Sequence, residues 1–506
     1  MDLSLLLLSL LVLILTLFYF YSVRNRNYWK NQGIETAPGF LPLFGHVLSV
    51  ILVRSNLSTV CNELYKNWLP KRNILGIFFL TKPMLIVRDP ELIKNILIKD
   101  FQSFRNNMII VDARYDPFLS KNPFFTTDEV WKKNRAYLVS KMSQARLKTL
   151  FAILQRISLK YDKYLERTIN THDKSNILEL KTLAMKFTGE VVANTAFGIE
   201  GHSFDDHRNP ECFTSKVETF LESSFSTKLT QMLRYYIPCV ANLFSISFMP
   251  MKLSHFLMDT IRDVLQFRKE KGITANDLLQ MAVESSDEHS VLEAAIGHAS
   301  SYFFDAYDTS ADVFAFVMYR LAYHQDIQDK ARREIVETLS KYKGDLCWES
   351  LKDMVYLEQI LNETLRLHPI LGVSVRECNQ KVTLESSDGQ SVNLQPGDAV
   401  CIPIQSIHTD EEFWNEPLKF DPDRFSEERR EYIRKFTFLP FSEGPRICAG
   451  KNYGIMLVKT MLAIVLRKYV LRGIGEIMPD IELHQGSLST SAKHGLWVKF
   501  NRVEDS

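Results

Sequence analysis

Residues 441–450 read Phe441-Ser442-Glu443-Gly444-Pro445-Arg446-Ile447-Cys448-Ala449-Gly450. Glycine and proline make this run rich in turns, and a helical apolar pattern follows over 450–468. Cys448 therefore stands just ahead of a helix N-terminus, where exposed N–H groups and the helix dipole favour a thiolate over a thiol. A thiolate so placed is a candidate nucleophile or iron ligand. The plain alternative is a structural cysteine, the common fate of a lone Cys. Arg446, two residues earlier, supplies a cation for a carboxylate.

Upstream, Leu357 to Pro369 reads LEQILNETLRLHP. Glu363 and Arg366 stand at i and i+3 on one helical face and can pair, and His368-Pro369 ends the helix. Most such pairs are solvated surface bridges of little energetic weight. The stretch Ile296 to Tyr323 is long and mainly apolar but holds Asp305 and Asp308. It reads as a buried central helix with polar residues at one spot, not a membrane span. Periodic apolar faces predict helices over 55–68, 129–166, 176–196, 251–270, 290–340, 349–367 and 450–468. Strand signals are fewer: 83–87, 392–394, 400–404 and short runs near the C-terminus. The fold class is mainly α with small β-sheets (α+β).

At the other end, residues 3–23 carry no charge. As a helix they span ~31 Å, enough for a ~30 Å hydrocarbon core. Tyr19, Phe20 and Tyr21 suit the interface, and Arg24, Arg26 and Lys30 follow, which leaves the rest of the chain on the cytosolic side. A cleaved signal peptide fits less well, because Asp2 precedes the apolar run and aromatic and basic residues follow it. Two prolines and two glycines in 38–45 suggest a stiff connector. The division is thus a transmembrane anchor (1–23), a basic and proline-rich linker (24–46) and one large unit (47–506), although 506 residues alone would suggest about three domains. Sixty-one Lys and Arg against 60 Asp and Glu leave a net charge of +1, so no global basic field points to nucleic acid. Seven scattered cysteines support neither a disulfide framework nor a zinc knuckle, and fit a reduced compartment.

The 441–450 run matches FxxGxRxCxG at all five fixed positions, and the chain is identified by it as resembling the cytochrome P-450 family, whose fold and anchor helix the resemblance extends to this chain. The implied cofactor is haem b with Cys448 as axial thiolate on iron. Phe441, Arg446 and Gly450 fall to the cofactor loop by the same match. Trp131 and Arg135, a WxxxR, and Arg376, seven residues after Pro369, resemble the family's propionate contacts. Glu363 and Arg366 resemble its buried pair, with Arg424 of Phe420–Phe425 as third member. Asp308-Thr309 resembles the acid-Thr pair that holds water and delivers protons on the oxygen-binding face. The anchor and Tyr28-Trp29-Lys30-Asn31-Gln32-Gly33 look most like insect microsomal, xenobiotic-metabolising members.

The resemblance implies an NADPH-dependent monooxygenase at the endoplasmic reticulum membrane, with its catalytic domain facing the cytosol. Its partners would be the membrane-bound NADPH–cytochrome P-450 reductase, cytochrome b5 and a lipophilic small-molecule substrate. Lys132, Lys133, Lys451 and Lys459 are candidates for the reductase face. A haem-thiolate isomerase or dehydratase, an endogenous hormone or lipid hydroxylase, and a haem-binding sink without turnover are the alternatives; Asp308-Thr309 argues against the first. Segments 101–125, 205–250, 371–374 and 488–495 are expected to line the pocket, the first of them Phe-rich. Asp305 stands where the family has Ala, and it shares a face with Thr309 at i+4. Either it borders the pocket, paired with a cation or neutral, or it bonds a neighbouring side chain or backbone group and never meets substrate.

Overall fold

The computed structural model describes residues 3–70, 72–171, 176–205, 212–221, 225–285, 290–485 and 487–503. β1 (Ile74–Phe79) and β2 (Lys82–Val87) pair antiparallel from Ile74↔Val87 to Phe79↔Lys82. Every residue of β1 is buried, so its sequence runs apolar without alternation. Trp29 supplies part of the cover. Its indole N–H donates to the Ile77 carbonyl at 2.8 Å, and a Cβ at Gly76 would come 2.4 Å from its ring. The sheet continues through β3 (Asn106–Asn107), while β4 (Ile177–Glu179) belongs to a second sheet. With β5 (Ser374–Glu377), β6 (Val382–Glu385), β7 (Ser391–Leu394) and β8 (Ala399–Ile402), the first sheet has the order β1-β2-β8-β5-β3, and β6-β7 is a hairpin. β9 (Tyr469–Arg472) and β10 (Trp497–Arg502) complete the second sheet as β4-β10-β9.

Helices make the larger layer. The central helix runs from Val291 to Tyr323 with one π turn at Tyr302–Ala306. It packs along Leu180–Val192 and the cysteine helix Lys451–Leu466. Gly189 makes the first approach close: a Cβ there would meet the Tyr307 ring at 3.0 Å. One apolar core lies among these helices and a second lies under the five-stranded sheet.

Helices Leu57–Trp68, Met251–Lys271 and Lys451–Leu466 lie where apolar periodicity placed them. Four expected helices are instead divided. The 129–166 segment is two helices, Asp128–Ser140 and Gln144–Thr171, the second led in by Ser143, whose Oγ accepts from Arg146 N at 3.4 Å. The 176–196 segment opens as β4, because Glu179 accepts from Lys181 N and Thr182 N and starts the helix there. The 290–340 segment breaks at His324, where Gln325 and Gln328 side chains bond the carbonyls of Ala322 and Leu321. The 349–367 segment breaks at Met354, because the Glu334 carboxylate takes the N–H groups of Tyr356 and Leu357. The last two breaks are made by side chains that bond free helix ends.

The N-terminal helix is Leu3–Val23; Ser4–Val23 has a mean hydropathy of 2.4 and length enough to cross a membrane. Downstream, Tyr28 donates to Asp398 and Ala37 N donates to Gly76 O, so this stretch lies on the five-stranded sheet.

Candidate active site

The 441–450 loop owes its shape to two close approaches. Gly444 has φ of +75°, and a Cβ would fall 2.1 Å from the Leu97 carbonyl oxygen; only glycine accepts both constraints. Cys448 N donates to Phe441 O at 2.9 Å and folds the loop back on itself. Gly450 then caps the helix Lys451–Leu466, and a Cβ on it would meet no atom within 4 Å. Cys448 is accessible, yet burial first and the Asp305 carboxylate second push its thiol up to about 11. The accessible face is therefore the wall of an internal cleft. The Gly450 N–H, Arg135 and Lys451 all favour ionisation, and desolvation opposes them.

Three guanidiniums gather beside this loop. Arg446 donates to the carbonyls of Arg105, Pro123 (3.1 Å) and Thr126 (2.9 Å), and lies 4.4 Å over the Trp131 ring. Arg135 donates to Ile447 O, and Arg376 to Asn107 Oδ1. Burial and the neighbouring Arg376 and Arg135 lower Arg446 to about 9, and burial alone lowers Arg376 to about 10. None of the three has a carboxylate partner among the described residues. The arrangement is a partly buried cationic site that suits a dianion. Trp131, Arg135, Arg376, Phe441, Arg446, Cys448 and Gly450 thus come together around one loop.

Opposite them stands the central helix. Thr309 Oγ1 donates to the Asp305 carbonyl across the π turn, a geometry that recurs at functional sites. Asp305 faces the cleft, bonded to Asn122 Nδ2 at 3.2 Å, and burial raises its carboxyl to about 7. Asp308 is ion-paired to Lys181 at 2.8 Å. Lys181 also holds Asp312 at 3.0 Å, and Ser491 donates to Asp312 at 2.8 Å. Lys181, Asp312, Ser491, Asn122 and Asn107 were not foreseen. Asp312 alone had a signal, standing at i+4 from Asp308.

The buried pair is present: Arg366 grips Glu363 at 2.7 and 2.8 Å, and Arg424 Nε lies 3.4 Å from Glu363. One expectation fails. Lys459 is 3% exposed and bonded to Glu358, so it is no docking lysine. Lys132, Lys133 and Lys451 are exposed. A cleft lined by Ile109, Phe124, Tyr236, Leu371 and Leu488 draws on all four expected segments, and adds Asn56–Ser58. Parts of the second segment, 206–211 and 222–224, lie outside the described residues.

The cytochrome P450 family model matches residues 36–497. The chain belongs to the cytochrome P450 family. Similar proteins include cytochrome P450 6j1 of Blattella germanica, 30% identical over 94% of each chain. Probable cytochrome P450 9f2 of Drosophila melanogaster is 28% identical, covering 94% of this chain and 95% of its own. Probable cytochrome P450 6g2 of the same fly is 27% identical over 94% of each. This cytochrome P450 is accordingly a haem monooxygenase of mainly helical fold, working with a redox partner on a small molecule. Its residues fit the family's haem: an accessible cysteine in a cleft, three guanidiniums without counter-anions, and a glycine cradle free of neighbouring atoms.

Proposed function

We propose that Cys448 would hold the haem iron through its sulfur, and that the enzyme converts lipophilic xenobiotics, RH + O2 + NADPH + H+ giving ROH + H2O + NADP+. When bound, the haem would supply the iron at which dioxygen, the oxidant of that reaction, is activated. The observation that carries the reading is the pairing of an accessible Cys448 with the Arg135–Arg376–Arg446 group, of which Arg376 is buried and the other two partly buried. Cys448 Sγ must shed its proton to ligate, and burial makes that costly until a cation is present. The three arginines would hold the propionates, with Trp131 stacked beneath Arg446. On the other side, the Thr309 hydroxyl would hold a proton and Asp308 would pass one in, its carboxylate oriented by Lys181. Phe124, Ile109, Leu371 and Leu488 exclude water and favour an apolar substrate.

The redox partner in this reading is NADPH–cytochrome P450 reductase, with cytochrome b5 as an accessory donor. Residues 1–23 anchor the protein in the endoplasmic reticulum, residues 24–46 join them to the catalytic unit and pack on its five-stranded sheet through Trp29 and Ala37, and Arg24, Arg26 and Lys30 keep that unit cytosolic. Lys132, Lys133 and Lys451 form the docking face. Reconstitution with purified reductase tests the whole reading. Oxygenated product should require NADPH, reductase and dioxygen together. Product formed from organic peroxides alone, with none from the full system, would favour an isomerase or dehydratase.

A further inference from the structure

Asp305 is an accessible carboxylate linked through Asn122 to a segment that carries phenyl rings. Phe304 precedes it in sequence, and the Phe304 ring meets Phe125 at 5.0 Å and Phe248 at 5.7 Å. Phe125 meets Phe248 at 5.6 Å and Phe124 at 5.1 Å. Asn122, fully buried, donates Nδ2 to both Asp305 oxygens at 3.2 and 3.3 Å, and its Oδ1 accepts from Phe124 N at 2.7 Å. One amide thus fixes both the carboxylate and the backbone that carries a ring. Asp308 and Asp312 already share Lys181, whereas Asp305 pairs with no described cation. It is accessible, as is Cys448, and its charge acts on the Cys448 thiol.

We propose that Asp305 recognises the cationic nitrogen of a lipophilic amine, the carboxylate meeting the charge and the partly exposed rings of Phe124 and Phe304 packing its alkyl carbons. The inference rests on the haem-monooxygenase reading and names a substrate class for it. An unpaired carboxylate in apolar surroundings is costly, and a cation relieves that cost. Phenyl faces attract a desolvated cation further. One Asn donor leaves lone pairs of the carboxylate free to accept more bonds. Burial raises this carboxyl to about 7, opposed only by Asn122, which is the state a partner cation would reverse.

The test is equilibrium dialysis of the full-length holoenzyme with benzyltrimethylammonium and its neutral carbon isostere, neopentylbenzene. The ammonium has no lone pair, so it reports the pocket and not iron ligation. In wild type the cation should bind about tenfold more tightly than the isostere, the effect of one favourable charge contact. Asp305→Asn should abolish that preference and leave the isostere's Kd within about threefold. If Asp305→Asn does not retain haem, Phe304→Leu decides, because it should weaken the cation's binding more than the isostere's. A wild type that binds both equally or prefers the isostere overturns the proposal, as does a preference unchanged in the variant. A wild type lacking the thiolate spectrum with carbon monoxide would instead fail the underlying reading, a distinct result.

Discussion

Replacing Glu363 with alanine should destabilise the haem side of the molecule far more than its size suggests. Glu363 and Arg366 side chains are both 0% exposed, and two N–H···O bonds of 2.7 and 2.8 Å join them. Glu363 also accepts from Asp421 N at 3.0 Å. Arg366 spends its other donors on the carbonyls of His408, Pro417 and Lys419. The His408 ring in turn takes the N–H of Leu439, two residues ahead of Phe441. Glu363→Ala therefore strands a buried guanidinium, a change that costs ~3–5 kcal/mol. It also strands the Asp421 N–H, for a further ~1–3 kcal/mol. Even the lower sum lowers the folded-to-unfolded ratio by roughly three orders of magnitude. Urea titration followed by haem absorbance and tryptophan fluorescence reads the loss. Glu416→Ala is the control, since Glu416 and Lys419 are paired at 3.4 Å on the surface, where such bridges contribute ~0–1 kcal/mol. Equal losses in the two variants would refute the view of Glu363 as a lock.

Thr309→Ala removes the hydroxyl bonded to the Asp305 carbonyl and should leave haem loading intact. NADPH consumption should continue with less product and more hydrogen peroxide; unchanged coupling would place the proton path elsewhere. Lys132→Glu with Lys133→Glu should raise the KM for reductase with little change in stability, because both lysines are exposed. Lys459→Glu should do the reverse, lowering the unfolding midpoint, because it places a buried charge against Glu358.

The cysteine loop was legible because its determinants are local: Gly444, Pro445 and the helix that follows. The arginines were legible only through family spacing, since nothing intrinsic to Arg376 distinguishes it from a surface cation. Helix breaks were hidden where their caps come from other elements, as when Glu334 holds the start of Val355–Leu367. Lys181 was hidden for the same reason, lying 131 residues from Asp312 in the chain. At Cys448 the helix terminus and burial act on the free thiol in opposite directions.

The assignment of Cys448 is tested most directly by the spectrum of the reduced carbon monoxide complex. Wild type should show the long-wavelength band characteristic of thiolate-ligated haem. Cys448→Ser should lose it, while Cys378→Ala and Cys401→Ala, at two buried thiols, should retain it. Persistence of the band in Cys448→Ser would contradict the account.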